Sequence, residues 1–248
     1  MYKKMRNLAG TYYNKLFYLK NHHKMPNNNV TDFYNKHKGE RCFIIGCGPS
    51  INKTDFSIIK DEILIGVNTL YRGMEKFKIK PQYWGCVDSK VLQENYSNLF
   101  HLDTTLFLAG SAGRKYLTEL RNVPKSTDIF VLKSSGDIIA CNKMGLDVAK
   151  GVNGGGTVVI DVCLHIAYYM GFKEIYLLGC DSDYSGIHHF DGSQAENLSG
   201  MAIGDNKKVF DSYKICKKIF EEDGRNIYNA TVGGKLEVFE RRKLEVII

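Results

Sequence analysis

Two aspartates, an asparagine and two glycine-rich turns are the residues of this chain most able to do chemistry, and each follows a short apolar run. Asp88 ends the run Tyr83 to Val87, and Asn68 ends Ile63 to Val67. Asp181 comes just after Glu174 to Leu178, with Gly179 and Cys180 between, and is followed by Ser182 and Tyr184. Gly46-Cys47-Gly48-Pro49-Ser50 leaves the run Cys42 to Ile45, and Gly154-Gly155-Gly156-Thr157 opens a long apolar segment. Glycine turns bring backbone N–H groups close to a ligand, and a helix start adds a partial positive charge, so both turns suit an anion such as phosphate. An asparagine amide donates to and accepts from a base or a sugar. Carboxylates beyond strand ends could hold a metal or take a proton. Neither turn is a complete nucleotide motif: GxGxxG would need glycine at Ile51, and a phosphate-binding P-loop would need a Lys-Ser/Thr pair.

These residues serve one purpose only if the elements carrying them line up. Val158 to Met170 is hydrophobic nearly all round, which predicts a buried helix, and Gly171 caps it. The apolar runs at 42–45, 63–67, 83–87 and 174–178 read as short buried strands, with further candidates at Leu106 to Ala109, Ile129 to Leu132 and Ile227-Tyr228. Helices are expected near Ala112 to Arg121 and over Lys207 to Asp223. Lys133 to Lys150 reads as surface loops and Gly192 to Asn206 as a polar flap. Asn229-Ala230-Thr231 with Gly233-Gly234 reads as another turn at the sheet edge. The expected fold is α/β, a single Rossmann-like domain with a mostly parallel sheet and helices on both faces, over 39–248. In such a sheet Ser50, Asn68, Asp88 and Asp181 would share one edge, with Thr157 beside them.

At 248 residues, 44% hydrophobic and 25% charged, the composition is that of an ordinary globular protein. No run is long enough to cross a bilayer and no signal peptide is evident, so the expected place is the cytoplasm. The seven cysteines lack any CxxC spacing and point to reduced core thiols. The net charge of +7 resides in the leader: before Gly46 stand nine basic residues and two acidic ones. Within residues 1–38, Met5, Leu8, Tyr12, Leu16 and Leu19 recur at helical spacing among lysines, with Tyr13 and Phe17 widening the stripe. This is a basic amphipathic helix, suited to the inner face of an anionic membrane or to packing on the protein's own body or on a second subunit, as in a homo-oligomer. Nucleic acid is not expected, since no nucleic-acid motif accompanies the charge. His165 reads as a core histidine, Asp161 as a complement to the helix dipole, and His188 and His189 as loop residues, His188 being a candidate base.

The segments RCFIIGCGPSI, GVN, KPQYWGCVDS, GGGTVVIDVCLHIAYYMGFKEIYLLGCDSDYSG and NATVGGKLEVF resemble the 6-hydroxymethylpterin pyrophosphokinases (MptE-like) and their bacterial relatives in polysaccharide clusters. In part the chain is also similar to bacterial lipooligosaccharide sialyltransferases. Those enzymes have a GxGPS turn, an asparagine after the second strand, a small-residue turn before the long helix and a KEIYLxGxD strand, matched here by Gly46 to Ser50, Asn68, Gly154 to Thr157 and Lys173 to Asp181. The sialyltransferase likeness implies a CMP-sugar donor, a glycan or glycolipid acceptor, no metal, and a histidine base in a late IGH motif. Here Ile203-Gly204-Asp205 stands in that place, which makes Asp205 the candidate base. His188-His189-Phe190-Asp191 stands where that family has a tyrosine before an AFD-like segment. The pyrophosphokinase likeness instead implies ATP, with magnesium held by Asp88 and Asp181. A nucleotide-binding relative without turnover is a third expectation. Glycosyl transfer is favoured, because a basic amphipathic leader suits an acceptor carried on a lipid.

Overall fold

The computed structural model describes residues 12–26, 29–183, 185–193 and 206–247. A helix over 12–20, here α1, leads to β1 (Arg41–Ile45), β2 (Ile63–Val67), a one-turn α2 (Met74–Phe77), β3 (Tyr83–Cys86) and α3 (Ser89–Leu99). Then come β4 (Thr105–Leu108), α4 (Gly110–Lys115) widening into a π-type turn at Tyr116–Leu120, and β5 (Asp128–Val131). A small pair follows, β6 (Ser134–Asp137), the short α5 (Ile138–Cys141) and β7 (Val152–Gly154). The central helix starts with π-type turns at Val159–Leu164 and continues as α6 (His165–Tyr169). The chain then forms β8 (Glu174–Leu178), α7 (Asn206–Glu222), β9 (Asn226–Asn229) and β10 (Glu240–Arg241).

The main sheet has eight strands in the order β10-β9-β8-β1-β2-β3-β4-β5, and every neighbouring pair is parallel. From β1 the chain steps outward to β5, then returns to place β8 on the other side of β1. The order reverses between β1 and β8, and in open α/β sheets that reversal leaves a crevice at the carboxyl ends of the strands. Four consecutive residues of β1, of β2, of β3 and of β8 are buried, as strands covered on both faces require. Gly85 shows how closely the central helix lies on the sheet: a Cβ there would be 3.1 Å from Cys163 Sγ and 3.3 Å from Val158 Cγ2. The helix start is thereby set at the carboxyl end of β3.

The expected α/β fold with a mostly parallel sheet is what the chain adopts. Three local expectations need correcting. Residues 133–150 are not only surface loop: β6 pairs with β7 in a separate two-stranded parallel sheet, so Val152–Gly154 of the glycine segment is itself a strand. Helix α3 was not foreseen, nor was β10. All seven cysteines are free thiols and only Cys141 is exposed. Phe33, from the stretch between α1 and β1, is buried among Tyr83, Phe107 and Phe130 in edge-to-face contacts. The flap expected over 192–206 lies mostly outside the described residues.

Candidate functional site

The turns after β1 and β8 pack directly against each other at the carboxyl edge of the sheet. Gly46 N–H donates to Leu178 O at 2.8 Å and Gly48 N–H to Gly179 O at 3.0 Å, so the two loop backbones run side by side. Asp181 then turns its carboxylate into the β1 turn, where Oδ2 accepts from Ser50 Oγ at 2.7 Å and Oδ1 from Ser50 N–H at 3.3 Å. A side chain at Gly48 would fall within this carboxylate. Burial raises the Asp181 carboxyl, and the Ser50 hydrogen bonds only partly offset it. The Gly233-Gly234 turn closes the far side: Lys235 N–H donates to Asp181 O at 2.7 Å, and Arg241 Nη1 donates to Gly233 O at 2.8 Å. Lys235 Nζ lies 2.9 Å from Asp183, whose carboxyl is lowered to about 2 by Ser185 and Lys235.

Asn68 stands next along the edge, in a left-handed conformation with φ of 45°. Its N–H donates to Gly85 O at 3.0 Å and its carbonyl accepts from Trp84 Nε1 at 3.1 Å. Its side-chain Oδ1 is buried with no hydrogen-bond partner among the described residues. A buried acceptor without a donor costs about 1–3 kcal/mol, so the Asn68 amide carries an unmet hydrogen-bonding demand at this edge. Asp88 follows β3 on the same edge, but its Oδ1 accepts from Lys90 N–H at 2.7 Å and Val91 N–H at 3.2 Å, which makes it the N-cap of α3.

The Gly154 to Thr157 turn does not offer the free N–H groups its sequence suggests. Asp161 is half-buried and folds back so that Oδ1 accepts from Gly155 N–H at 2.6 Å and Gly156 N–H at 3.0 Å. The chain's own carboxylate thus occupies the anion cradle expected to hold phosphate. Burial lifts its carboxyl to about 6, against the opposing pull of those N–H groups and of Lys208. Thr157 Oγ1 accepts from Ile160 N–H at 3.3 Å. Asp161 is therefore more than a complement to the helix dipole. His165 is a core histidine: Nδ1–H donates to Ile160 O at 2.8 Å, Nε2 accepts from Asn153 N–H at 3.1 Å, and burial lowers it to about 4.

The segment after β8 crosses back over the β1 turn. Phe190 N–H donates to Cys47 O at 2.9 Å, Asn52 Nδ2 donates to Phe190 O at 2.9 Å, and Arg72 Nη1 pairs with Asp191 at 2.9 Å. Burial raises the Asp191 carboxyl, but Ser193 and Arg72 outweigh it and hold it at about 2. His188 and His189 are both half-buried. His189 lies against Cys47, its Nδ1 is buried without a partner among the described residues, and burial lowers its pKa. Cys47 is itself buried, which pushes its thiol up to about 11. Sequence reasoning missed Arg72, Asn52 and the Asp161 contact, none of which has a local signal. Ser182 adopts φ of 50° beside Asp181. Tyr184 and Asp205 lie outside the described residues.

The structure thus brings Gly46, Cys47, Gly48, Pro49, Ser50 and Asp181 into one contact group, with Asn68 and His189 at its border. It sets Asp88 and Gly154 to Thr157 further along the same edge, each engaged in local capping. As holders of magnesium Asp88 and Asp181 fit poorly, since both oxygens of Asp181 and one of Asp88 already accept from the chain.

Comparison with known proteins agrees with this architecture. No curated protein matches the chain. A solved structure described as the MAf glycosyltransferase from Magnetospirillum magneticum AMB-1 superposes with a TM-score of 0.52 over 86% of this chain, at 16% identity. The chain spans 35% of that protein, and the likeness is one of fold. The model of the family described as 6-hydroxymethylpterin diphosphokinase MptE-like matches residues 17–186, which include the turns after β1, β2, β3 and β8 and the central helix. This match over more than half of the chain, with the parallel sheet that carries those turns, makes the chain a member of the MptE-like family.

Proposed function

We propose that the protein is a glycosyltransferase using a nucleotide-sugar donor, a sialyltransferase-like enzyme with a CMP-sugar, acting in surface polysaccharide or lipooligosaccharide synthesis. The observation that carries this reading is the engagement of Asp88 and Asp181 by donors of the chain itself. A magnesium-dependent diphosphokinase needs carboxylates turned toward the ion and the nucleotide phosphates. Here they are turned into backbone and serine. A fold shared with a solved glycosyltransferase is consistent with this.

In this reading the nucleoside end of the donor lies against Ser50 and Asn68, where Asn68 Oδ1 accepts from the base or ribose. The acceptor hydroxyl attacks the anomeric carbon as the bond from that carbon to the phosphate oxygen breaks, and the nucleotide leaves with the bonding pair. His188, His189 or Asp205 takes the hydroxyl proton.

A thermal-shift panel of CMP, CDP, UDP, GDP and ATP, each with and without magnesium, tests it. At 100 times its Kd a nucleotide adds about 2.7 kcal/mol, which is roughly 5–10 °C for a chain of this size. Stabilisation by a cytidine nucleotide without metal is expected. Stabilisation by ATP only with magnesium would replace this reading with the diphosphokinase one named by the family. Nucleotide binding without turnover of any donor would point to a non-catalytic relative.

A further inference from the structure

Helix α1 has two apolar faces, and the fold uses only one. Tyr18 is buried, its hydroxyl donating to Leu132 O at 3.4 Å, and Asn14 Oδ1 accepts from Arg114 Nη1 at 3.1 Å, so the Asn14, Phe17 and Tyr18 side rests on α4 and the end of β5. On the other side Tyr12 is 65% exposed, Tyr13 60%, Leu16 48% and Leu19 65%. At about 100° per residue these four fall within an arc of roughly 120° turned away from the body. Four large apolar side chains together on one exposed helix face are not the scattered exposure of an ordinary surface.

Charge indicates what covers this face. Lys15 and Lys20 are exposed on the same two turns, Lys24 follows, and Lys3, Lys4 and Arg6 precede them in sequence. The exposed apolar arc is thus set in the part of the chain that holds its whole positive excess. A second copy of the helix would bring like charges together. An anionic bilayer takes both features at once: leucines enter the acyl boundary, tyrosines sit at headgroup level, and lysines meet lipid phosphate.

We infer that the outer face of α1 docks the protein on an anionic lipid surface. This inference is independent of the reaction proposed above, because vesicle binding is measured without nucleotide or turnover. The full chain is sedimented with vesicles of phosphatidylcholine alone and of phosphatidylcholine with phosphatidylglycerol. Binding to the anionic vesicles only, weakened by salt, is expected. Lys15→Gln and Lys20→Gln should each weaken it about fivefold. Leu16→Glu with Leu19→Glu should abolish it. All four positions are exposed, and an unchanged melting temperature establishes that the variants fold. Equal binding of wild type and the Leu16→Glu, Leu19→Glu variant would overturn the inference, as would absence of binding to anionic vesicles. A dimer in solution that these substitutions dissociate, without vesicle binding, would assign the face to a second copy instead.

Discussion

Replacing Gly48 with alanine tests whether Asp181 belongs to the β1 turn. Gly48 has φ of −66° and ψ of 154°, which any residue adopts, so the substitution costs nothing in backbone conformation. Its whole effect is collision. The new methyl would overlap the Asp181 carboxylate and lie 2.7 Å from both Asp181 Cγ and Gly179 O. Moving the Asp181 side chain relieves the carboxylate overlap, while the contact with backbone Gly179 O also forces the two loops slightly apart against the 3.0 Å bond from Gly48 N–H. Moving it breaks the Ser50 hydrogen bonds, of which the charged Oγ bond alone is worth about 1.5–3 kcal/mol, and overpacking adds about 1–3 kcal/mol. The expected loss is about 3–5 kcal/mol, or roughly 10 °C in melting temperature. Ser50→Ala alone should cost about 1.5–3 kcal/mol. The double variant should cost less than the sum, because the second change removes a bond the first has already broken. Urea and thermal melts of the four proteins give the numbers. A Gly48→Ala protein that melts within about 2 °C of wild type, or strictly additive effects, would refute the argument.

Two further outcomes follow from the site. Asp161 has a folded pKa near 6, above its unfolded value, so the unfolded chain releases that proton first and stability falls as pH rises from about 4 to about 6, by at most roughly 3 kcal/mol. Asp161→Asn keeps an Oδ1 acceptor for Gly155 and Gly156, and this component should be absent from the difference between variant and wild-type melts across that range; the difference is the test because His165, depressed to about 4, contributes the opposite slope between pH 4 and 6.5 in both proteins. The Arg72 to Asp191 pair is partly exposed and should contribute no more than about 1 kcal/mol, yet it ties down the segment carrying His188 and His189. Arg72→Ala is therefore expected to shift the melt by under about 4 °C while weakening by severalfold the nucleotide found in the thermal-shift panel, and unchanged affinity by titration calorimetry would count against that segment as part of the site.

The strands were legible because a parallel sheet buried on both faces leaves continuous apolar runs, and β1 and β2 match their sequence bounds closely. The β6–β7 pair was not. Ser134–Asp137 and Val152–Gly154 carry no alternation, and the partners are separated by the stretch that reads as loop. Helix α3 is hidden for another reason: Asp88-Ser89 is an N-cap signal, but an aspartate directly after a strand is equally the pattern of a functional carboxylate. Sequence shows that glycine N–H groups will be presented, but not which acceptor takes them. Asp161 reaches back five and six residues, and Asp181 meets Ser50 across 131 positions of chain, a contact that only the β1–β8 pairing brings about.

Under the proposed reading, that difference decides how a nucleotide lies at this edge. Each of the two turns expected to cradle phosphate already holds a carboxylate, Asp181 on the Ser50 turn and Asp161 on the Gly155-Gly156 turn. An ionised phosphate about 4 Å from an ionised carboxylate near a protein surface is opposed by about 4 kcal/mol, more than two neutral hydrogen bonds of about 1 kcal/mol each return. Under the proposed reading the donor therefore meets Ser50 with its neutral end, beside the Asn68 amide. Asn68→Leu would remove that acceptor and should weaken cytidine itself as well as CMP. If phosphate instead occupied the Ser50 turn, the substitution would weaken CMP but spare cytidine, and competition binding of the two ligands separates these orientations.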